Sequence, residues 1–158
     1  LNNHDYLLHI LMNITIDDNL RVKNNNKPLI IKTPIVRMPF GLEKEYEHMI
    51  VKLELPKDKI FSKLITAIET KFCEILDIST INSQLRLSTH VKYGDLLFTK
   101  IIRFKDKTYI KVDRGNKMEY IGHLKKGDKG IATLEIDKLW KYDDKYTYKI
   151  KLKELALL

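Results

Sequence analysis

The chain has few of the residues that support a disulfide-stapled, fibrous or membrane-embedded structure. Its 158 residues include one cysteine, six glycines, four prolines and one tryptophan. The lone Cys73 excludes an intrachain disulfide and a cysteine-ligated metal cluster, and it suits a reducing, intracellular compartment. No apolar run reaches the roughly 20 residues that a membrane-spanning helix needs, so we expect no membrane partner. The five histidines are scattered without a pair at ligand spacing, so we expect neither a metal nor another cofactor.

The length of the chain predicts a single domain covering residues 1–158. A chain of this size buries about 68–70% of its unfolded surface, which is enough for a hydrophobic core. Hydrophobic residues make up 44% of the sequence and charged residues 32%. These fractions are typical of a globular protein with more than the usual share of charge.

The excess positive charge lies entirely in the second half of the sequence. Residues 1–79 carry 11 Lys or Arg against 11 Asp or Glu, whereas residues 80–158 carry 18 against 10, which gives the net charge of +8. A field this lopsided attracts polyanions to one part of the surface. Nucleic acid is therefore the leading candidate partner.

Hydrophobic periodicity predicts a mainly β chain with one helix. The helix spans about 56–76, where Ile60, Leu64, Ile68 and Phe72 recur every four residues after Pro56. Elsewhere the period is two, and Gly, Asp and Asn turns separate the segments. The predicted strands are 6–16, 29–38, 46–55, 84–93, 96–105, 107–112, 119–124, 130–140 and 146–157.

Many short strands with a single helix favour an oligonucleotide-binding (OB)-like β-barrel with additional strands. An α+β fold, in which one helix packs on an antiparallel sheet, is the alternative. Pro34 and Pro39 confine the second strand to a sheet edge or an irregular crossing.

The segment 101–112 has the clearest pattern for binding a polyanion. With a tight turn at Asp106, the alternation places Arg103, Lys105, Lys107, Tyr109 and Lys111 on one face of a hairpin. Cations that follow phosphates around a ring on which a base can stack suit a single strand. The alternative is a solvated hairpin whose lysines protect a sheet edge.

A second row of cations, Lys149, Lys151 and Lys153, lies on one face of the last strand. If segment 130–139 pairs antiparallel with this strand, Asp137 lies beside Lys149 and Glu135 beside Lys151. Cross-strand ion pairs then explain the row without a ligand, and Lys153 is the cation most available for binding.

Two stretches of the chain resemble known families. The first, Thr33-Pro34-Ile35-Val36-Arg37-Met38-Pro39-Phe40-Gly41, resembles an N-terminal motif in proteins of large nucleocytoplasmic DNA viruses. The tail, from Lys126-Gly127-Asp128 through Leu139-Trp140 to the last strand, resembles the same group and the closing hairpin of OB barrels in phage-type single-stranded DNA-binding proteins. The resemblance implies a replication-associated protein that coats single strands without cutting them or unwinding them with ATP.

We therefore expect a viral, non-enzymatic protein that binds single-stranded nucleic acid, DNA in preference to RNA, at viral replication sites in the host cytoplasm or nucleus. It would act in replication, recombination or repair without sequence specificity. In this hypothesis cations hold phosphates, aromatic rings stack on bases, and Arg37 and Phe40 line the same groove. The candidate residues are Arg37, Phe40, Arg86, Lys92, Lys100, Arg103, Lys105, Lys107, Tyr109, Lys111, Arg114, Tyr120, Tyr142 and Lys153.

Two other functions remain open. A structural or protein-interaction module of a virion or transcription complex would dock an acidic protein on the basic hairpin. Its apolar end, 155–158, would pair across the interface of a homo-oligomer. A nuclease that uses Asp95, Asp113 and Glu119 ranks third, because those acids follow no recognisable catalytic pattern.

Overall fold

The computed structural model describes residues 3–45, 48–104, 107–108 and 110–158. These residues form two α-helices, one 3₁₀-helix and fifteen strands. The helices are α1 (Asn3–Met12), α2 (Ile60–Leu76) and the 3₁₀-helix Ile121–His123. The strands are β1 (Ile14–Ile16), β2 (Val22–Asn24), β3 (Leu29–Met38), β4 (Leu42–Glu45), β5 (His48–Glu54), β6 (Leu85–Arg86), β7 (Leu96–Ile101), β8 (Arg103–Phe104), β9 (Lys107–Thr108), β10 (Lys111–Arg114), β11 (Lys117–Met118), β12 (Asp128–Ile136), β13 (Leu139–Tyr142), β14 (Lys145–Tyr148) and β15 (Lys151–Leu157).

Five of the strands close into a barrel. Their order around the barrel is β3, β5, β7, β15 and β12, and β12 pairs again with β3. All of these pairings are antiparallel except that of β15 with β7, which is parallel and joins Lys151 to Lys100. A five-stranded Greek-key barrel of this kind is OB-like, so the predicted fold class is confirmed.

The barrel interior is filled by the inward half of each alternating strand. Val51 and Leu53 of β5 are completely buried, as are Leu97 of β7 and Leu134 of β12. Thr99 is also buried, and its hydroxyl donates a 2.7 Å hydrogen bond to the carbonyl of Val51. Because inward residues alternate with outward ones, the barrel fixes which side chains of β5 and β7 face outward.

Helix α2 contributes a second layer of the core. Phe72 is completely buried and meets Tyr148 edge-on with ring centroids 5.7 Å apart. The helix ends at Leu76, as predicted, but it begins at Ile60 rather than at residue 56. The reason is Lys59, whose φ of +67° is left-handed and incompatible with the preceding residues continuing the helix.

The prediction of a strand over 6–16 is wrong for most of that segment. Residues 3–12 form helix α1, and only Ile14–Ile16 are extended. The apolar residues Tyr6, Leu7, Ile10 and Leu11 recur at helical spacing, and they pack against the core. The chain therefore has two α-helices among its described residues rather than one.

Two other predicted strands are mostly irregular. In segment 84–93 only Leu85–Arg86 joins the sheet. Segment 119–124 forms a 3₁₀ turn, in which the amide of His123 donates to the carbonyl of Tyr120. Local hydrogen bonds of this kind replace the ladder that the alternating pattern predicts.

Strand β3 has the irregularity that its prolines predict. Its register with β12 shifts between Ile131 and Thr133, directly opposite the Thr33-Pro34 pair. The amide of Ala132 donates to the hydroxyl of Thr33 at 3.0 Å. This bond gives an acceptor to a buried N–H that the register shift would otherwise leave unpaired.

The last strand contributes two leucines to the core. Leu155 and Leu157 are buried in the barrel, while Leu158 is exposed. The suggestion that segment 155–158 pairs across an oligomer interface is therefore wrong for its two inward leucines. Within the described residues, no helix is both long enough and apolar enough to cross a membrane.

Candidate nucleic-acid interface

The outer face of β5 and β7 is the part of the barrel that OB-like proteins use for oligonucleotides. In chain order, barrel strands 1 to 5 are β3, β5, β7, β12 and β15, so β5 and β7 are the second and third. The loops between barrel strands 1 and 2 and between barrel strands 4 and 5 flank the same face. Because Met49, Val51 and Leu53 point inward, the outward positions carry different chemistry. They are His48, Ile50, Lys52 and Glu54 on β5, and Leu96, Phe98 and Lys100 on β7.

Phe98 lies at the centre of this face and is surrounded by cations. The ammonium of Lys52, its cross-strand partner, lies 5.0 Å from the ring centroid. The guanidinium of Arg86 lies 5.2 Å from the same centroid. Lys52 is also 5.1 Å from the ring of Phe40, which belongs to the loop between barrel strands 1 and 2. Two rings and two cations thus form one cluster, named here the Phe98 cluster.

The face continues past Phe98 to Lys100 and the β8–β9 hairpin. Lys100 is half-buried and lies opposite Ile50 on β5. The hairpin begins two residues after β7 ends, so Arg103 follows at this end of the face. Cations therefore extend along the face from the Phe98 cluster in the direction of the hairpin.

At the opposite end, the loop between β6 and β7 forms a pocket with the end of β3. The pocket encloses about 570 Å³, and Arg37, Phe40, Arg86, Tyr93 and Leu96 are among its lining residues. Tyr93 is 56% exposed, so its ring is accessible to a ligand. This pocket, named here the Tyr93 pocket, adds a second aromatic site to the face.

Glu54 links the two walls of the Tyr93 pocket through hydrogen bonds. Its Oε1 accepts a 3.1 Å hydrogen bond from Arg37, and its Oε2 accepts a 3.0 Å bond from the amide of Gly94. Gly94 passes so close to β5 that a Cβ there would lie 1.9 Å from the carbonyl oxygen of Leu55. Only glycine fits this approach without movement of the backbone.

Asp95 anchors the same loop to helix α2. Its buried carboxylate accepts hydrogen bonds from the Lys59 ammonium at 2.6 Å, the Ser62 hydroxyl at 2.7 Å and the Ser88 amide at 2.8 Å. Burial opposes ionisation of Asp95, but these donors outweigh it and hold the pKa of the carboxyl below its usual value. The loop is thus fixed at Gly94 by Glu54 and at Ser88 by Asp95.

The structure brings together some of the residues that the sequence predicts as binding residues. Arg37, Phe40, Arg86 and Lys100 lie on the β5–β7 face or at its edge. Lys92 is exposed in the loop that carries Tyr93, and its amide donates to His90 Nδ1 at 3.1 Å. The binding role of these residues remains a prediction.

The hairpin that the sequence analysis emphasised has a different register. Arg103 lies opposite Thr108 and Phe104 opposite Lys107. Directly opposite positions share a face of a hairpin, so position 103 shares its face with position 108 and not with position 107, and the predicted single row of cations is wrong at this point. Lys105 and Tyr109 lie outside the described residues.

Arg114 is committed to structural contacts. Its guanidinium donates to Asp128 at 2.9 Å and to Glu119 at 3.1 Å, and it also donates to the carbonyl of Leu158. The hydrogen bonds to Asp128 and Glu119 raise the pKa of Arg114 further above its ordinary value. The geometry gives Arg114 a role in joining β10 to β12, whereas the sequence suggested that its side chain was available to contact a phosphate.

Lys111 and Tyr120 lie near the same edge of the sheet as Arg114. The Lys111 ammonium is 3.9 Å from the carboxylate of Asp113, and Tyr120 is exposed beside His123. Strand β10 pairs with β15 rather than with β5 or with the strand segment of β7. These two residues are therefore separate from the Phe98 cluster, and any contact they make with nucleic acid remains a prediction.

Lys153 and Tyr142 flank the face on its other sides. Lys153 is half-buried on β15, which adjoins β7. Tyr142 is 77% exposed at the end of the β13–β14 hairpin, in the loop between barrel strands 4 and 5. Lys151 lies opposite Glu135, as predicted, but its ammonium contacts Asp137, which the sequence had placed beside Lys149.

Phe98, Lys52 and Tyr93 were not among the binding residues predicted from the sequence. The signal for Phe98 was available, because Leu97, Thr99 and Ile101 are inward and an aromatic residue between them must face outward. Its pairing with Lys52 depends on the register of β5 and β7, which no local pattern specifies.

The three acidic residues of the nuclease alternative do not form a common site. Asp95 is buried against Lys59, Glu119 pairs with Arg114, and Asp113 lies near Lys111. Across the described ranges, no group of three or more His, Cys, Asp or Glu residues is positioned to hold a metal ion.

The closed five-stranded topology is that of an OB-like barrel. Three solved structures with a similar fold are forms of the single-stranded DNA-binding protein from bacteriophage Enc34. The form in complex with single-stranded DNA has a TM-score of 0.58 at 9% identity, covering 92% of this chain and 93% of that chain. A second structure of that protein has a TM-score of 0.59 at 10% identity, covering 91% of this chain and 87% of that chain.

A C-terminally truncated form of the same phage protein has a TM-score of 0.58 at 12% identity and covers 91% of each chain. The predicted resemblance to phage single-stranded DNA-binding proteins is therefore confirmed for the fold. No family model and no curated protein matches the sequence.

Proposed function

We propose that this protein binds single-stranded DNA along the outer face of β5 and β7, without strong sequence specificity and without catalysis. The single observation that carries the proposal is the Phe98 cluster, in which Lys52 and Arg86 flank an outward aromatic ring on the β5–β7 face. Cations follow the phosphates of a single strand, and rings stack on any base, so this combination favours single strands over duplex.

The similarity to the phage structures supports the proposal. One of those structures contains single-stranded DNA, and its fold matches nearly the whole of this chain. We extend the proposal to the coating of exposed strands during viral DNA replication, recombination or repair. A protein with that role needs no nucleotide-hydrolysing or cleaving site, and it would reside where viral DNA is replicated.

Binding to oligonucleotides at several salt concentrations tests the proposal. Fluorescence anisotropy of a labelled oligo-dT is expected to show saturable binding, with weaker binding to the matched RNA and to duplex DNA. If about five phosphates are contacted, log affinity falls against log salt with a slope of about −3.5, since each single-strand contact contributes about −0.7. Saturable binding that does not weaken with salt, or equal binding to duplex, would contradict the proposal.

A further inference from the structure

The Tyr93 pocket has a property that sequence-independent binding does not require, namely a fixed hydrogen-bonding group beside aromatic rings. Its volume of about 570 Å³ is within the range of small-ligand sites. Phe40 and Tyr93 both line it, and both are substantially exposed, at 43% and 56%. A strand bound on the adjacent face would bring its nucleobases to this pocket, and one nucleobase is small enough to enter it.

Arg37 is the group that makes the pocket selective. One of its five N–H donors is held by Glu54 Oε1 at 3.1 Å, and the side chain remains 43% exposed. Among the residues that the structure describes, Glu54 is the one side chain with which the Arg37 guanidinium forms a hydrogen bond. The remaining donors form a planar fork at the wall of the pocket.

The other arginine of the pocket is differently engaged. Arg86 donates to the carbonyl of Ser83 at 2.6 Å, and its guanidinium lies over the Phe98 ring. Arg86 therefore suits a contact with the phosphate backbone, whereas Arg37 lines the pocket and is held there by a carboxylate that is itself only 14% exposed.

The pocket is also held in place before any ligand binds. Glu54 links Arg37 to the amide of Gly94, next to Tyr93, and Asp95 links Ser88 to helix α2. The ring of His90 lies 5.5 Å from that of Tyr93 and supports it. A preformed site of this kind loses little conformational entropy when it binds.

We infer that the Tyr93 pocket accepts one base of the bound strand and prefers guanine, because Arg37 donates two hydrogen bonds to guanine O6 and N7. Guanine presents these two acceptors side by side, and an arginine fork matches their spacing. Adenine has an amino donor in place of O6, and a pyrimidine lacks N7. This inference rests on the proposed function and adds a modest base preference at one position of otherwise unselective binding.

Competition between oligonucleotides that differ at one base tests the inference. Oligo-dT of about 12 nucleotides, within the roughly 4–16 that one OB fold covers, carries a single central dG, dA or 7-deaza-dG. The dG oligonucleotide is expected to bind at least about fivefold tighter than the others, the lower end of arginine–guanine discrimination. The 7-deaza base lacks N7, so it should lose that advantage.

Two arginine variants separate the pocket from the rest of the face. Arg37→Lys keeps the charge but removes the fork, so the ratio of dG to dA affinity should fall to about one. Arg21→Lys makes the same exchange at an exposed position outside the face, and it should keep the wild-type ratio. Circular dichroism confirms that both variants are folded.

The outcomes distinguish this inference from the proposed function. Equal wild-type affinities for the dG, dA and 7-deaza-dG oligonucleotides would overturn the guanine pocket while leaving the binding of single-stranded DNA intact. A guanine preference that survives in Arg37→Lys would overturn the role of the arginine fork. Absence of binding to any of the oligonucleotides, including oligo-dT itself, would overturn the proposed function.

Discussion

Replacing Phe98 with alanine removes the ring at the centre of the proposed interface. Stacking of one base on an aromatic side chain contributes about 1–3 kcal/mol. In the unbound protein the Lys52 and Arg86 cations lie 5.0 and 5.2 Å from the ring centroid. A stacked base would displace at least one of them, at a cost of about 0.5–1 kcal/mol for an exposed cation–π contact.

The net loss on removing the ring is therefore about 0.5–2 kcal/mol, which corresponds to about 2- to 30-fold weaker binding. The salt dependence should change little, because no charge is removed. The loss should be similar for dT and dA oligonucleotides, since stacking does not read the edges of a base.

Fluorescence anisotropy with a labelled oligo-dT at fixed low salt measures this effect, and two further variants of the same position serve as controls. Phe98→Tyr keeps a stacking ring and should bind within about threefold of the wild type, whereas Phe98→Leu keeps apolar volume and should behave like the alanine variant.

Phe98 is half-buried on the outer face, so its removal should leave the barrel folded. Loss of two cation–π contacts costs about 1–2 kcal/mol of stability, a decrease of about 2–8 °C in Tm. Binding by a folded Phe98→Ala variant within about twofold of the wild type would refute the reasoning.

Three further predictions concern charge. Lys100→Ala should make the slope of log affinity against log salt about 0.7 less steep, whereas Lys63→Ala, an exposed position on α2, should leave the slope unchanged in the same titration. Arg114→Ala should lower the Tm in thermal unfolding, because Asp128 loses its ion-pair partner, and it should leave the salt slope unaltered; a lower slope with an unchanged Tm would contradict that assignment. The carboxyl of Asp95 has a lowered folded-state pKa, so its contribution to stability is present above the ordinary aspartate value of about 4 and is lost as the pH falls through the folded-state pKa. Thermal unfolding between about pH 2 and 7 should therefore show a smaller decrease in Tm on acidification for Asp95→Asn than for the wild type, and parallel curves would argue against it.

The barrel was predictable because its alternation is regular. Residues 48–54 and 96–101 each place apolar side chains at every second position, and that pattern specifies both the strands and their buried faces. Helix α2 was predictable for the same reason, although its first residue was not. Lys59 has a left-handed backbone and forms an ion pair with Asp95, which is distant in sequence, and no local pattern indicates either feature.

The candidate site was only partly predictable. Arg37, Phe40 and Arg86 have suitable chemistry, but only the closed barrel places them beside Phe98. Arg114 illustrates the opposite case. Its ion-pair partners come from two separate segments of the chain, so a count of charges along the sequence does not reveal that Arg114 is paired.

Helix α1 was missed because its residues satisfy two patterns. Segment 6–12 is rich in leucine and isoleucine, which fits a buried strand as well as a helix when periodicity is not decisive. Packing of α1 against α2 and the core resolves this ambiguity in the folded chain.

Photo-crosslinking tests most directly the claim that single-stranded DNA lies across β5 and β7. Oligo-dT carrying 5-iodouracil is irradiated in complex with the protein, and mass spectrometry locates the modified residues. The account predicts crosslinks at Phe98 and at Phe40 or Tyr93, which line the face and its pocket. Crosslinks confined to Tyr120 or to the outer face of β12 would contradict it.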